Sequence, residues 1–223
     1  MSVLHVTNGD HAAGRIANAG LGGEVLPWRD VLHEGPVPES LDDGALREVR
    51  ASFLGGDAAD RARILRGMEE RDARVDAAAA AGEIVLWFEP DLYDQLQLLQ
   101  VLERLSRSDP VGVEVTAVES VEAIGELDER EVRELHATRS FVPADAGELA
   151  ALAWRRFREP DPTPFEELTA WPTAALPHLA PAVVRHLEEL PAVGDGLSRS
   201  ERQALEALSG GPLPALEAFL AAH

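Results

Sequence analysis

The sequence predicts an α/β protein in which a mostly parallel, Rossmann-like sheet is wrapped by helices and followed by an all-helical part. Short β-branched runs alternate with helical segments through the first half of the 223-residue chain. This alternation is the order of parallel strands joined by helical crossovers. From about residue 127 the pattern is helical and is interrupted by prolines. We therefore divide the chain into an α/β domain, 1–125, and a helical domain, 126–223.

Strands are predicted where short apolar runs end in turn residues. These runs are SVLHVT at 2–7, EVLPW at 24–28, EIVLWF at 83–88 and VGVEVTAV at 111–118. Helices are predicted between the strands from the spacing of apolar residues. The first helix begins at a capping Asp10 and ends at Gly20, and the others cover 43–54, 57–81 and about 91–106.

The composition excludes several classes of function. The net charge is -20, and all twenty cationic residues are arginine. Because such a field repels phosphate backbones and no dense basic patch is visible, nucleic-acid binding is not expected. The absence of cysteine excludes disulfides and thiolate sites. A cytoplasmic protein with no membrane contact is expected, because the chain has no long apolar run and no signal-like start.

Polar side chains follow three of the predicted strands, and this coincidence is the main functional signal. In open α/β sheets, ligands bind beyond the carboxyl ends of the strands, where loops and helix N-termini converge. The polar residues are Asn8, Asp10 and His11 after the first strand, Asp30, His33 and Glu34 after the second, and Glu89, Asp91, Asp94 and Gln95 after the third. The sequence therefore predicts one ligand site at this edge of the sheet.

Each of these clusters also has a structural interpretation. Asp10 and Asp91 are placed to cap helix N-termini, and Asp94 would lie in a first helical turn, where negative charge is favourable. Gln95 falls among leucines, so it should be buried and need a partner. His33 lies in the loop DVLHEGPVP, whose prolines and glycine suit either a functional or a tight structural connection.

The chemistry of the predicted site stays open at this point. The chain contains no G-x-G-x-x-G, G-x-x-x-x-G-K-[ST], H-E-x-x-H or G-x-S-x-G motif. Carboxylates and histidine could hold Mg²⁺, Mn²⁺ or Zn²⁺, or could serve acid–base chemistry. We assign His33 and Glu89 as candidate general bases. The candidate ligand-binding residues are Asn8, Asp10, Asp30, Asp91, Asp94 and Gln95.

Three stretches resemble a bacterial family catalogued as domain of unknown function 1835. They are HVTNGDHAAG, VLPWRDVLHEGPVP and LWFEPDLYDQLQLLQVL, and the resemblance covers about residues 3–125. The tail segments LPHLAPAVVRHLEELP and GLSRSERQALEAL are similar to the region that accompanies this domain. The resemblance implies a soluble bacterial protein. It implies no activity, so no catalytic residue is carried over.

The end of the chain resembles a helix-turn-helix. Ser198 precedes Glu201 by three residues, the spacing of a capping box, which predicts a helix starting near 199. The following helix, ALEAFLAAH, contains no arginine or lysine. Because a recognition helix needs cationic contacts to phosphates and bases, simple packing is favoured over DNA binding.

Two hypotheses of function follow. The first is an α/β domain that binds a small polar or phosphorylated ligand at the strand ends, with a metal-assisted hydrolase or transferase as the enzymatic form. The second is a non-enzymatic regulator or protein-interaction module that uses the helix-turn-helix-like C-terminus. Convergence of the polar clusters on one pocket would favour the first hypothesis.

Overall fold

The computed structural model describes residues 2–108, 114–118, 120 and 123–222. Within these ranges five strands form a single sheet, as expected for an α/β protein. The strands are β1 (Val3–Thr7), β2 (Glu24–Pro27), β3 (Glu83–Trp87), β4 (Glu114–Val118) and β5 (Ser140–Phe141). The first three agree with the predicted runs to within a residue or two. For the fourth run, residues 111–113 lie outside the described residues.

Helices connect and cover these strands. In chain order they are α1 (Asp10–Asn18), α2 (Asp43–Leu54), α3 (Ala58–Ala81), α4 (Leu92–Arg107), α5 (Glu129–Ala137), α6 (Ala146–Phe157), α7 (Thr163–Glu166), α8 (Leu179–Leu187), α9 (Arg199–Ala207) and α10 (Ala215–Ala221). Short 3₁₀ turns lie at Ile124–Glu126 and Glu167–Ala170. None of the helices in the described part of the chain is both long and apolar enough to cross a membrane.

The strand order is β2-β1-β3-β4-β5, with β1 to β4 mutually parallel and β5 antiparallel to β4. A mostly parallel sheet was predicted and is confirmed. The expectation of a purely helical part after residue 125 needs a correction, because β5 belongs to that part and pairs Ser140 with Ala117. A strand of two residues is too short to leave a periodic pattern in the sequence.

Both faces of the sheet are covered, which explains why β3 is apolar and buried from Ile84 to Trp87. Ile84 and Leu86 face a core that includes residues of α2, α3, α4, α6 and α8. Val85 and Trp87 face the opposite core, which is built from α1, α5 and the turn at Ile124. The chain therefore leaves β1 and β3 towards opposite faces.

The part after residue 125 packs on both faces. Trp154 of α6 shares a core with Leu96 of α4, and Val132 of α5 shares the other core with Ile16 of α1. The division into two domains at residue 125 stays a prediction. Helices α9 and α10, which lie wholly within the described residues, bury none of their side chains.

The caps of the helices were predicted with mixed success. Asp91 caps α4 by accepting a 3.0 Å hydrogen bond from the backbone N–H of Asp94, and Ser198 forms the expected capping box with Glu201. The prediction that Asp10 caps α1 is wrong. Gly9 is the N-cap residue, and no side chain caps this helix. The helix begins one residue earlier than expected, so Asp10 lies inside its first turn.

Candidate functional site

The candidate site is the crevice between the loops that follow β1 and β3. These strands are parallel neighbours in the sheet, and they continue into α1 and α4 on opposite faces. The region beyond the ends of such diverging strands is where open α/β sheets bind ligands. We call the region between Asn8 and Glu89 the switch-point crevice.

Asp94 ties the two loops together at the bottom of the crevice. Its Oδ1 accepts a 2.7 Å hydrogen bond from the Nδ2 of Asn8, 86 residues away in the sequence. Its Oδ2 accepts a 2.7 Å hydrogen bond from the backbone N–H of Glu89. Only 1% of Asp94 is exposed. The carboxylate is therefore buried by the fold and held in one orientation.

Glu89 links the crevice to the segment beyond β4. Its Oε1 accepts a 2.8 Å hydrogen bond from the backbone N–H of Ile124, the first residue of the 3₁₀ turn. The backbone oxygen of Glu89 accepts a 2.8 Å hydrogen bond from the Nε2 of Gln95. Gln95 is buried and has a partner, as predicted. These contacts fix the loop between β3 and α4 from both sides.

Three carboxylates converge in the crevice without a cation beside them. Glu89, Asp91 and Asp94 each place an oxygen within 4.8 Å of the others. The described ion pairs of the chain include none of these three acids. Burial, reinforced by the charge of Asp91, raises the pKa of Asp94 to about 7, against hydrogen bonds from Glu89 and Asn8 that favour the charged form. Burial also raises the pKa of Glu89, and the hydrogen bond from Ile124 opposes this rise.

This arrangement can hold either a proton or a cation near neutral pH. Carboxylate oxygens are the ligands that Mg²⁺ and Ca²⁺ prefer, and a cation would offset both the burial of the charges and the smaller repulsion between them, which together raise the two pKa values. Asp91 and Glu89 each use one oxygen in a hydrogen bond. Among the described residues, their second oxygens accept no hydrogen bond. These two oxygens, with Asp94, are the atoms that could hold a divalent metal.

The N-terminus of α1 follows Asn8 after a single residue, its N-cap Gly9. Its first-turn N–H groups receive no side-chain cap. Uncapped N–H groups at a helix start favour an anion. Asp10, in this first turn, binds Arg29 at 2.6 Å in an exposed pair, and this hydrogen bond lowers the pKa of Asp10. Asp10 is therefore exposed and already neutralised by its partner.

Asp30 has a structural partner instead of a place in the crevice. Its Oδ1 accepts hydrogen bonds from the Nε and Nη2 of Arg50 at 3.0 and 2.7 Å, and both side chains are 1% exposed. The Nε2 of Gln97 donates to its backbone oxygen. The predicted ligand-binding role of Asp30 finds no support in this geometry, because the carboxylate is buried in an ion pair.

His33 belongs to another set of contacts. Its ring packs edge-on against Tyr93 with centroids 4.1 Å apart, and its Nε2 lies 3.5 Å from Glu34. Burial lowers the pKa of His33, against the nearby charge of Glu34. Asp10, His33 and Glu89 all follow parallel strands, and a single site for the three stays a prediction. Their contacts are with different neighbours, and the geometry does not pair His33 with Glu89.

Sequence reasoning missed the contribution of the turn after β4. Gly125 lies so close to His11 that an added Cβ would come 2.7 Å from the ring Nδ1. Arg15 also donates a 2.9 Å hydrogen bond to the backbone oxygen of Gly125. The turn is thus held against α1 and presents the N–H of Ile124 to Glu89. The one signal in the sequence that could have indicated this turn is its position after a predicted parallel strand.

No protein-family model, curated protein or solved structure matches this chain. The resemblance to domain of unknown function 1835 stays a prediction. Function must therefore be argued from the site itself, since a fold alone does not determine an activity.

Proposed function

We propose that the switch-point crevice binds a divalent cation through Glu89, Asp91 and Asp94, together with a small polar or phosphorylated ligand. The observation that carries this proposal is the convergence of three carboxylates within 4.8 Å of one another, with two raised pKa values. Like charges brought together in a partly buried place destabilise one another. A cation would relieve this cost.

The proposed ligand lies between the cation and the start of α1. A phosphate there would receive N–H groups from the uncapped first turn and would meet the cation on its other side. Without a cation, the carboxylates would repel a phosphate. We therefore propose that cation binding precedes or accompanies ligand binding.

The reaction class that we propose is metal-assisted hydrolysis or group transfer. Glu89, assigned from the sequence as a candidate general base, is a cation ligand in this proposal, because its one oxygen that is free of the Ile124 N–H would bind the cation. A cation held there would lower the pKa of a bound water and so supply the nucleophile. His33 takes no step in this proposal, since its contacts are with Tyr93 and Glu34.

The Rossmann-like character of the fold is part of the same proposal. The order β2-β1-β3-β4 and the change of direction between β1 and β3 support it. Doubly wound sheets with this order bind their ligands at the same point.

Thermal melts with divalent cations test the proposal. Mg²⁺, Mn²⁺ and Ca²⁺ are added singly to wild type, to Asp91→Asn and to Asp60→Asn, a control in the exposed first turn of α3. At a cation concentration of 100 times Kd, the wild type should gain roughly 2.7 kcal/mol of stability. Asp60→Asn should keep this gain and Asp91→Asn should lose it, although asparagine still caps α4. An unchanged wild-type midpoint, or an equal gain in Asp91→Asn, would contradict the proposal.

One observation favours the second function, a protein-interaction module at the C-terminus. Helices α9 and α10 and their connection expose several large apolar side chains: Leu205, Leu208, Leu213, Leu216 and Leu220. Clustered apolar exposure of this kind marks interaction surfaces. Sedimentation analysis of wild type and Leu216→Glu over a range of concentrations tests the case in which the partner is a second copy. A monomer at every concentration in both proteins would remove this version of the hypothesis.

A further inference from the structure

A cavity of about 150 Å³ lies next to the crevice, between the carboxyl ends of β3 and β4, the side of α4 and the segment 174–178. Its floor is apolar and buried, and it includes Leu86, Phe88, Leu102 and Leu176. Phe141, at the end of β5, is 68% exposed and stands among the lining residues. We call this cavity the apolar pocket.

The apolar pocket shares a wall with the switch-point crevice. Gln95 lines the pocket and is buried, and its Nε2 donates to the backbone oxygen of Glu89. Phe88, on the pocket floor, directly precedes Glu89 in the chain. Gln95 and the step from Phe88 to Glu89 therefore connect the lining of the pocket to the carboxylates.

The size and lining of the pocket indicate what fits it. The pocket has a buried floor and reaches the surface at Phe141, so a ligand can enter it. An apolar cavity of about 150 Å³ accommodates one benzene-sized ring. Ligand pockets are typically apolar with a few polar groups that fix orientation, a description that Gln95 and the apolar floor satisfy.

We propose that the apolar pocket receives a ring-sized apolar group of the ligand whose polar end is held at Glu89, Asp91 and Asp94. The ligand is then a small aromatic or branched-alkyl compound that carries one phosphorylated or similarly polar group. The link between pocket and carboxylates rests on the proposed function, whereas the pocket itself does not.

The first experiment tests the pocket alone, with toluene as the probe and no added metal. Binding is measured by ligand-observed NMR for wild type, Ala175→Phe and Ala62→Leu. Ala175 lines the pocket, whereas Ala62 is exposed on α3. Filling the pocket in Ala175→Phe should weaken binding by at least about tenfold, and Ala62→Leu should bind as wild type does. If toluene did not bind to the wild type, or bound equally well to Ala175→Phe, the proposal that the apolar pocket binds a ring would be overturned.

The second experiment tests the link between the pocket and the carboxylates. Phenyl phosphate and methyl phosphate, which carry similar charges, are compared by thermal melts of the full chain in the presence of Mn²⁺. Phenyl phosphate should bind at least about tenfold more tightly to wild type, and this preference should disappear in Ala175→Phe. Ala117→Leu, a second filling variant at another lining position, serves if Ala175→Phe does not fold.

The outcomes separate the two proposals. Toluene binding without any effect of Mn²⁺ or phosphates would keep the pocket, remove the cation site and overturn the link. Equal affinity for the two phosphates in the presence of Mn²⁺ would keep the cation site and overturn the link. If Ala175→Phe and Ala117→Leu both still preferred phenyl phosphate, the ring would bind outside the apolar pocket. This result would also overturn the link.

Discussion

Two regions of this molecule gather acidic side chains, and they differ in the charges that surround them. On the face of the sheet covered by α2, α3 and α4, the acids meet arginines at 2.7 to 3.1 Å: Asp30 with Arg50, Asp72 with Arg47 and Arg104, and Asp43 with Arg104 and Arg107. In the switch-point crevice, Glu89, Asp91 and Asp94 meet one another. We call the first region the arginine network.

The arginine network neutralises itself within the described residues. Arg104 binds three aspartates on two helices, and Arg71, itself buried, lies over the ring of Trp28 at 3.6 Å. Burial lowers the pKa of Arg71, against the charges of Asp72 and Asp30. Each buried charge in such a network depends on its partner, because an unpaired ion in the interior is strongly unfavourable.

The difference teaches which acids to consider functional. The chain has twice as many acids as arginines, 40 against 20, so the fold cannot pair them all. Most unpaired acids lie in water, where they cost little. Asp94 is unpaired and 1% exposed, and such a group needs either a proton or a bound cation. The contrast between the two regions therefore supports the crevice as the site.

The largest expected effect comes from breaking the arginine network at its most buried pair. Arg50→Ala should destabilise the protein by roughly 3–5 kcal/mol, because it leaves the charge of Asp30 buried without a partner. Arg63→Ala is the control, since Arg63 forms an exposed pair with Asp60 and should cost less than about 1 kcal/mol. Urea unfolding of the two variants gives both values. If both substitutions lowered the free energy of unfolding by similar amounts, burial would not distinguish the Asp30–Arg50 pair from the Asp60–Arg63 pair.

A pH-dependent change is expected at Asp94. Its folded pKa of about 7 lies above the ordinary value of 3.8, so the folded state holds a proton that the unfolded chain releases. The stability from this proton is full below pH 3.8 and is lost as the pH rises through about 7. Asp94→Asn is neutral throughout, so the metal-free wild type should lose on the order of 3–4 kcal/mol relative to the variant over this range.

The informative quantity is the slope of stability against pH in the wild type and in Asp94→Asn. Asparagine offers one acceptor where the carboxylate of Asp94 offers two, so the variant also loses a hydrogen bond from Asn8 or Glu89. This loss shifts its stability by an amount that does not vary with pH. Melts of both proteins between pH 4 and 8, without divalent cations, separate the two effects. If stability varied with pH in the same way in both proteins, Asp94 would be charged in the folded protein at every pH tested and would have an unrecognised counter-charge.

A smaller effect is expected at Asp91, where a cap and a proposed cation ligand coincide. Asp91→Ala should cost about 1 kcal/mol because the N–H of Asp94 loses its acceptor. Asp91→Asn should cost only a few tenths of that amount, since asparagine caps a helix about as well as aspartate. Thermal melts without metal measure both. Equal costs for the two variants would show that the charge of Asp91, and not its cap, stabilises the fold.

The smallest effect is expected at Asp10, which was predicted to cap α1 and to bind the ligand. Its side chain is 71% exposed and is paired with Arg29, so Asp10→Asn should change stability by no more than about 0.5 kcal/mol. Chemical unfolding in low and high salt checks this value. A larger loss that persists in high salt would mean that Asp10 has a structural role beyond its exposed pair.

Features encoded by consecutive residues were determined by the sequence alone. The predicted helices at 43–54 and 57–81 match α2, Asp43–Leu54, and α3, Ala58–Ala81, almost residue for residue. The parallel strands, the cap at Asp91 and the burial of Gln95 were predicted from the same kind of local pattern. Local periodicity and capping depend on neighbours within about one helical turn, so they can be recognised before the fold is known.

Only the tertiary structure decided which acids are paired. Asp30 and Asp94 look alike in sequence, since each follows a predicted strand by a few residues. Asp30 meets Arg50, 20 residues away, whereas Asp94 meets the amide of Asn8, 86 residues away. The strand β5 and the turn at Ile124 likewise depend on contacts with distant strands. These choices follow from how the helices pack on the two faces of the sheet, and no local pattern records which long-range partner a buried charge will find.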